Sequence, residues 1–393
     1  MNEIVSLIER YKTGWSLEQG FYLNPELLEF ENLVLWSKNW LFAGFTCEIP
    51  EPGDYFTYRV LNQSAIIIRG DEGEIYAHHN TCRHRGSIIC LEERGNKAKL
   101  KCPYHNWVYE KNGNLRNARL MPDDFDKSRF GLHPVKVTLL EGVIFISFSD
   151  NPPSFSQETA GLGPYLAPFQ LNNAKVAYRD QYELEANWKL IGENFRECYH
   201  CGPAHIEYCN AVVGANLVEE RGELWEEQNN AWTQKGLPVE TIEKVAGACH
   251  FATRYPLRPG VQSYSINGKP VAPVMGAHHD YDNGVVGLIN YPNFWMDGVS
   301  DYIWVMRITP KDATHSIVDI TWLVDGKAEE GVDYDLERLT EFWKITGEQD
   351  WELCENNQKG VNSSKYSPGP MAPSEIDVVN FHEWYLNTLK ADL

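Results

Sequence analysis

The spacing of apolar residues changes character along the chain. Residues 21–40 (FYLNPELLEFENLVLWSKNW) carry apolar side chains at nearly helical spacing, and Asn24-Pro25 is typical of a helix start. From about Phe45 the pattern changes to short alternating runs, which are typical of a β meander. The turns between these runs are expected at Gly70-Asp71-Glu72-Gly73, Asn112-Gly113 and Glu141-Gly142.

The spacing of apolar residues changes again after residues 149–157 (SDNPPSFSQ). Two prolines and their polar neighbours predict that this segment is a linker. Beyond it, strands are expected over 176–188 and within 301–326, and a long helix over 336–357. The pattern predicts an α+β fold. In this fold an all-β domain, residues 45–150, is inserted near the start of a larger domain of strands and helices, residues 1–44 and 151–393.

Composition and charge argue against some classes of protein. The formal net charge of −20 argues against nucleic-acid binding, which needs clustered basic side chains. The first residues lack the features of a signal peptide, and no run approaches about 18 apolar residues, so we expect a cytoplasmic protein with no membrane segment. Its nine cysteines are then expected to be mostly reduced thiols or metal ligands.

Two short motifs in the β region each combine one cysteine with one histidine. They are Cys82-x-His84 and Cys102-x2-His105. Zinc accepts two cysteines and two histidines, but its finger pattern groups the cysteines before the histidines. One Cys and one His on each loop suit a Rieske [2Fe-2S] centre, in which two thiolates hold one iron and two imidazoles the other. Cys90, between the motifs, has no histidine at ligand spacing and is interpreted as core.

A second group of candidate ligands contains His200 and His205. On a straight helix two residues five apart point in different directions, so a shared metal requires a bend. Gly202-Pro203 lies between them and is expected to supply it. With one carboxylate, two such histidines form a facial triad with open positions for O2.

The predicted helix 336–357 contains a candidate for the carboxylate that would complete the triad. The stripe Leu339, Trp343, Thr346, Asp350, Cys354, Asn357 follows helical spacing, so Asp350 lies on a largely apolar face. A carboxylate there is costly unless it is paired or binds a metal, which favours Asp350 as the third ligand. Its competitors, interpreted as caps or surface residues, are Asp333, Asp335 and Glu348.

The segments CRHRG, CPYHNW and ECYHCGPAH, with a late aspartate, resemble those of Rieske-type oxygenases. The resemblance implies that Cys82, His84, Cys102 and His105 bind the [2Fe-2S] cluster. It further implies a mononuclear Fe(II) on His200, His205 and Asp350, within a helix-grip domain in which an antiparallel sheet packs with helices. Glu197 would bridge the two centres between subunits, a position at which most of the family has aspartate and carnitine monooxygenases have glutamate.

Within that family, NFRECYHC, EIPEPGDYFTYRV and the segment 348–370 resemble the glycine betaine and stachydrine demethylases and the carnitine monooxygenases. That branch implies a quaternary ammonium substrate, whose N-methyl group is hydroxylated with O2 and lost as formaldehyde. Aromatic faces suit such a cation, and Tyr291, Phe294 and Trp295 are candidate cage residues, with strand packing as the alternative. The segment from His278 to Asp280 is expected to face either a carboxylate or the solvent.

The resemblance also implies partners. No GxGxxG loop occurs in the chain, so NAD(P)H electrons are expected through a separate flavin and iron-sulfur reductase. The oxygenase is expected to be a homotrimer. Two alternatives stay open: an aromatic-ring hydroxylating dioxygenase, and a zinc-stabilised ligand-binding protein without redox chemistry.

Overall fold

The structure is a computed structural model that describes residues 2–213, 222–241 and 249–393. The chain forms two compact units. One comprises Met1–Leu35 and Ser156–Leu393, and the other comprises Trp36–Phe155. The second boundary falls within the proline-containing segment 149–157, and the predicted limits of 45 and 150 lie inside the second unit.

Helices form the start of the chain and alternate with strands after residue 155. In the described ranges the α-helices are α1 Asn2–Arg10, α2 Gln19–Leu23, α3 Pro25–Glu31, α4 Ser156–Leu166, α5 Trp188–Asn194, α6 Cys201–Ala204, α7 Ile206–Ala211, α8 Gly222–Gln234, α9 Leu336–Val361 and α10 Ile376–Lys390. As expected, Asn24 caps α3, its side chain accepting from the backbone N–H of Glu26. None of these helices combines the length and the apolar character needed to cross a membrane.

The strands fall into small sheets in the inserted unit and one large sheet in the other. They are β1 Leu41–Phe45, β2 Asp54–Val60, β3 Gln63–Arg69, β4 Ile75–His79, β5 Arg94–Asn96, β6 Leu100–Lys101, β7 Val108–Tyr109, β8 Leu115–Asn117, β9 Lys136–Leu140, β10 Val143–Ser147, β11 Ala174–Leu184, β12 His250–Tyr255, β13 Val285–Asn290, β14 Phe294–Gly298, β15 Ile303–Pro310 and β16 Ser316–Asp325. Together with the helices, they confirm the predicted α+β architecture.

The inserted unit contains three small sheets, ordered β1-β10-β9, β4-β3-β2-β5 and β6-β7-β8. All three turns expected from the sequence close hairpins here, and Gly70-Asp71-Glu72-Gly73 joins the antiparallel strands β3 and β4. Glu141 and Gly142 both have positive φ, as a two-residue hairpin between β9 and β10 requires, and Gly113 has φ +87° between β7 and β8. The first Cys-His motif lies on the loop between β4 and β5, and the second on the loop between β6 and β7.

The larger unit is built on a six-stranded antiparallel sheet, ordered β11-β16-β15-β14-β13-β12. Helix α9 contacts α5, α7 and β11, and α5 also contacts β15. The loop from α5 to α7, which carries the candidate metal ligands, therefore lies close to both the sheet and α9.

Helix α9 begins at the predicted residue and continues four residues further than expected, to Val361. Its stripe is buried as predicted at Leu339, Trp343, Thr346, Asp350 and Cys354. The prediction for the last residue of the stripe is wrong, because Asn357 is exposed and Gln358 is buried instead. At 3.6 residues per turn, the position four after Cys354 returns to the same face.

The strand expected over 176–188 ends earlier, at Leu184. Asn187 instead caps α5, with its side-chain oxygen accepting from the backbone N–H of Lys189 at 2.9 Å. Since an asparagine cap favours helix initiation, Trp188 begins a helix in place of extending the strand. This start determines where the segment 195–205 enters the site.

Helix α5 is anchored by a buried ion pair. The Lys189 ammonium lies 2.8 Å from a Glu31 carboxylate oxygen, and both side chains are almost completely buried. Glu31 also accepts hydrogen bonds from the Trp188 indole at 2.9 Å and from the Tyr385 hydroxyl. One buried carboxylate thus connects α3, α5 and α10.

Replacing Lys189 with alanine is expected to destabilise the larger unit by about 3–5 kcal/mol, because it leaves Glu31 charged, buried and without its cation. Thermal and chemical unfolding would measure the loss. As a control, Lys311→Ala removes an exposed pair with Glu183 and is expected to cost at most about 1 kcal/mol. Equal effects of the two substitutions would contradict the anchoring role of the Lys189–Glu31 pair.

Candidate functional site

The two Cys-His motifs lie on loops of closely similar construction. In each loop the cysteine N–H donates to a carbonyl five residues on, from Cys82 to Ser87 and from Cys102 to Trp107, both at 2.9 Å. Each loop then turns through a residue with positive φ four positions after its cysteine, Gly86 in the first and Asn106 in the second. Glycine and asparagine are the residues that adopt this conformation most readily.

These loops bring the four candidate cluster ligands together. The Nδ1 atoms of His84 and His105 are 3.2 Å apart, and the thiols of Cys82 and Cys102 interact with each other. Both thiols are buried, whereas both imidazoles are partly exposed. Paired thiols and paired imidazoles match the donors of a Rieske cluster, one pair for each iron.

Neighbouring side chains support this arrangement. The Tyr109 hydroxyl lies 3.2 Å from the Cys82 sulfur, and the Trp107 ring stacks on His84 with centroids 4.9 Å apart. Burial raises the pKa of the Cys82 thiol, so ionisation of that sulfur requires a compensating positive charge such as iron. Cys90 is buried in the adjacent hydrophobic cluster, which confirms its interpretation as core.

The second group of ligands forms where α5, the following loop and α9 meet. One Asp350 carboxylate oxygen lies 3.3 Å from Nε2 of His200 and 3.0 Å from Nε2 of His205. Suitable donor atoms of all three residues lie within 4.8 Å of one another. Two imidazoles and one carboxylate converging on one point match a facial-triad iron site.

The other ring nitrogens have partners of their own. Nδ1 of His200 lies 2.6 Å from Glu197, and Nδ1 of His205 lies 2.8 Å from the Gln349 side-chain oxygen. Such contacts orient an imidazole and leave Nε2 for the metal. Gln349 was not predicted, and the only sequence signal for it is its position beside Asp350.

The bend between the histidines differs from the prediction. Gly202 and Pro203 lie inside α6, and the chain breaks at His205, with φ −122° and ψ 78°, before α7 begins. Proline is tolerated in the first turn of α6 because the N–H groups there need no helical partner. Cys198 and Cys201, on either side of His200, are joined by a disulfide.

Asp350 is the acidic residue that the fold brings to the histidines, ahead of its three competitors. Asp333 accepts from the backbone N–H of Glu329, and Asp335 caps α9. Glu348 is exposed. Asp335 is therefore a helix cap, and Asp333 and Glu348 are exposed residues, as interpreted from the sequence.

A cavity of about 490 Å³ adjoins the triad and is lined by His200, His205, Asp350 and Glu197. Many of its other walls are aromatic, among them Phe195, Tyr208, Trp225, Tyr255, Trp295 and Trp343. Cavities of this size suit small molecules.

One of the three predicted cage residues lines this cavity. Trp295 does, and Tyr291 and Phe294 do not. Side chains on β14 alternate between faces, so Trp295 and Asp297 face the cavity and Phe294 points the other way. Tyr291, before the strand, packs against Phe381 and Trp384.

The segment from His278 to Asp280 also lies outside the cavity wall. His278 packs against Phe169, and Asp280 pairs with Lys235.

Two family models match the regions that contain these residues. Residues 171–391 match the family described as ring hydroxylating alpha subunit (catalytic domain), and residues 39–132 match the Rieske [2Fe-2S] domain. The chain belongs to the Rieske-type ring-hydroxylating oxygenases. A Rieske oxygenase carries a [2Fe-2S] cluster and a mononuclear iron, and family membership excludes the zinc-stabilised binding protein.

Individual relatives are also similar. The glycine betaine monooxygenase oxygenase subunit of Chromohalobacter salexigens is 39% identical over 96% of this chain and 86% of its own. The carnitine monooxygenase oxygenase subunit of Acinetobacter baumannii is 31% identical over 56% of this chain and 58% of its own. The solved quaternary ammonium Rieske monooxygenase CntA has the same fold, with a TM-score of 0.76, 23% identity and 98% of each chain covered.

The triad of this Rieske oxygenase is expected to bind iron more tightly as pH rises towards 9. Burial lowers the pKa of His200, but hydrogen bonds to Asp350 and Glu197 outweigh it and raise the pKa to about 9. The pKa of His205 is also raised. Since a metal needs the neutral imidazole, iron must displace a proton below that pH.

Competition with a calibrated chelator between pH 6.5 and 8.5 would measure this effect on protein freed of its mononuclear metal. We expect the apparent Kd to fall about tenfold per pH unit for each proton displaced. An affinity that stays constant across this range would contradict the assignment of His200 as a ligand.

Proposed function

We propose that this oxygenase removes an N-methyl group from a small quaternary ammonium compound, such as a betaine, by hydroxylating it with O2. The observation that carries the proposal is the cavity beside the triad, whose walls combine aromatic rings with the carboxylates of Glu197, Asp297, Asp350 and Asp377. A cation without N–H donors is best held by ring faces and negative charge. The names of the glycine betaine and carnitine relatives support the same substrate class.

The geometry supports the metal ligands that we propose. Cys82, His84, Cys102 and His105 hold the [2Fe-2S] cluster. His200, His205 and Asp350 hold the mononuclear iron, which when bound supplies the activation of O2 needed to hydroxylate a C–H bond. Gln349 and Glu197 hold the two imidazoles with Nε2 towards the metal position.

The cavity residues determine which bond is presented for oxidation. Trp295 and the other aromatic side chains hold the ammonium group and exclude water from the reacting methyl group. One oxygen atom of O2 enters an N-methyl carbon to give a carbinolamine, and the other leaves as water, which takes up two electrons from the reductase and two protons. The carbinolamine then loses its hydroxyl proton as its C–N bond breaks, releasing formaldehyde and the amine with one methyl group fewer.

Electron supply requires partners. We propose that a separate flavin and iron-sulfur reductase delivers NAD(P)H electrons, because the relatives are named as oxygenase subunits. We further propose a homotrimer in which Glu197 connects His200 to His105 of the partner subunit. The 2.6 Å contact between Glu197 and His200 supports this role. We also propose that the enzyme works in the cytoplasm, where NAD(P)H is available to such a reductase.

An aromatic-ring dioxygenase is the second candidate, because the same rings could stack on a neutral arene. The cavity carboxylates favour the cation, since a neutral ring gains nothing from them.

The test measures formaldehyde released per O2 consumed by the oxygenase with a reductase, using glycine betaine, carnitine, choline and naphthalene in parallel. We expect about one formaldehyde per O2 from at least one of the ammonium compounds. A cis-diol from naphthalene, with no turnover of any ammonium compound, would overturn the proposal.

A further inference from the structure

Asp297 is a buried carboxylate in the wall of the cavity that the sequence did not single out. It lies on β14, on the same face as Trp295, and its side chain is only slightly exposed. Its partner in register on β13 is Gly287, which also lines the cavity. A Cβ at Gly287 would lie 3.3 Å from Oδ1 of Asp297, so the absence of a side chain there leaves space beside the carboxylate.

Both side-chain partners of Asp297 within the described ranges are neutral. The Tyr255 hydroxyl donates to Oδ1 at 2.9 Å, and the Trp295 indole N–H donates to Oδ2 at 3.3 Å. Tyr255 is in turn held by the Tyr264 hydroxyl at 2.8 Å. The carboxylate oxygens therefore have hydrogen bonds, while the negative charge has no cationic side chain against it in the described residues.

Three other charged side chains of the cavity wall, Asp350, Glu197 and Arg196, have partners in the structure. Asp350 and Glu197 contact the two histidines. Arg196 is the basic residue in the described wall besides those histidines. Its guanidinium lies over the rings of Tyr291 and Phe381 and donates to the carbonyl of Gly192. Asp297 therefore differs from Asp350 and Glu197, because the side chains that contact its carboxylate are neutral.

The charge on Asp297 is costly to keep. Burial raises its pKa to about 6, although the hydrogen bonds from Trp295 and Tyr255 act in the opposite direction. Near pH 7 the group is therefore still mostly ionised. An ionised carboxylate among aromatic rings is unfavourable unless a positive charge approaches it, and the open side faces the cavity.

We propose that Asp297 is the counter-ion of the substrate's quaternary ammonium group, holding the cation against the rings of Trp295 and Tyr255. This inference rests on the proposed function and names the residue that selects a cation over a neutral molecule. A quaternary ammonium group has positive charge but no N–H. Asp297 matches it, because neutral donors already supply its hydrogen bonds and only its charge remains uncompensated.

The experiment compares two ligands of nearly equal shape in the holoenzyme. Glycine betaine carries the trimethylammonium group, and 3,3-dimethylbutanoate replaces its nitrogen with carbon. Binding is measured by calorimetry and by tryptophan fluorescence, because Trp295 lies in the cavity wall, and formaldehyde release gives kcat and KM. The variants are Asp297→Asn, which keeps the shape, and Asp297→Ser, which keeps a small polar group.

The matched control is Asp301→Asn. Asp301 is also completely buried, and its carboxylate accepts from the Ser263 hydroxyl and from the backbone N–H of Val271. It does not line the cavity. This variant removes a buried charge without changing the proposed cation site.

In Asp297→Asn we expect the Kd and KM for glycine betaine to rise about tenfold or more, with kcat within about threefold, because the lost interaction holds substrate and transition state alike. The Kd for 3,3-dimethylbutanoate should stay unchanged or fall. Asp301→Asn should leave both ligands unaffected.

Equal changes for both ligands in both Asp297 variants, or no change for either, would overturn the role of Asp297. If wild-type protein instead turned over no ammonium compound, the proposed function itself would fail.

Discussion

Replacing Glu197 with glutamine is expected to lower steady-state turnover by about 100-fold while both metal centres stay occupied. The carboxylate lies 2.6 Å from Nδ1 of His200 and also accepts from the backbone N–H of His200 and Tyr199. Glutamine keeps the shape but removes the charge, and loss of such a partner to a metal-binding histidine typically costs about 10–100-fold.

The reoxidation rate of the reduced cluster distinguishes the proposed bridging role from a structural one. If Glu197 connects the two centres, this rate falls together with turnover, whereas the iron content and the cluster absorption stay at wild-type levels. Glu348→Gln is the matched control, since it removes one exposed carboxylate from α9. Fast cluster reoxidation and near wild-type turnover in Glu197→Gln would show that the bridging role is wrong.

Cys82→Ser and His205→Ala are expected to abolish turnover for different reasons. Cys82→Ser removes a buried thiol from the cluster loops, so the visible absorption of the [2Fe-2S] centre should disappear. His205→Ala removes a buried imidazole that contacts Asp350 at 3.0 Å, so that absorption should persist while the mononuclear iron is lost. Each substitution should lower turnover by more than the roughly 100-fold that is typical when a residue orienting a metal ligand is lost.

Each of the two variants is the control for the other. Visible spectra measure the cluster, and the iron content per chain measures both centres. Each should leave the other centre loaded. Loss of the cluster in His205→Ala, or retention of full cluster absorption in Cys82→Ser, would contradict the assignment of the two sites.

The local parts of both sites were predictable from the sequence. Cys82 with His84, and Cys102 with His105, are close in sequence, and turn residues such as Gly86 determine the loop shape. Asp350, far along the chain, could be selected because its helical stripe is otherwise apolar and a carboxylate there needs a partner.

The cavity wall was harder to predict, because it depends on strand register and on distant contacts. Whether Trp295 or Phe294 faces the substrate is decided by the residue at which β14 begins, and a shift of one residue reverses the answer. Gln349 and Tyr255 acquire their roles through partners elsewhere in the chain, which no local pattern shows. The end of the strand expected over 176–188 was misplaced for a related reason, since the cap at Asn187 begins α5 within that range.

Metal and sulfide analysis of purified, catalytically active protein tests the central claim most directly. The two sites predict two irons in the cluster and one at the triad, about three irons and two acid-labile sulfides per chain. Zinc in place of iron at either site, in protein that consumes O2 with its substrate, would contradict the account.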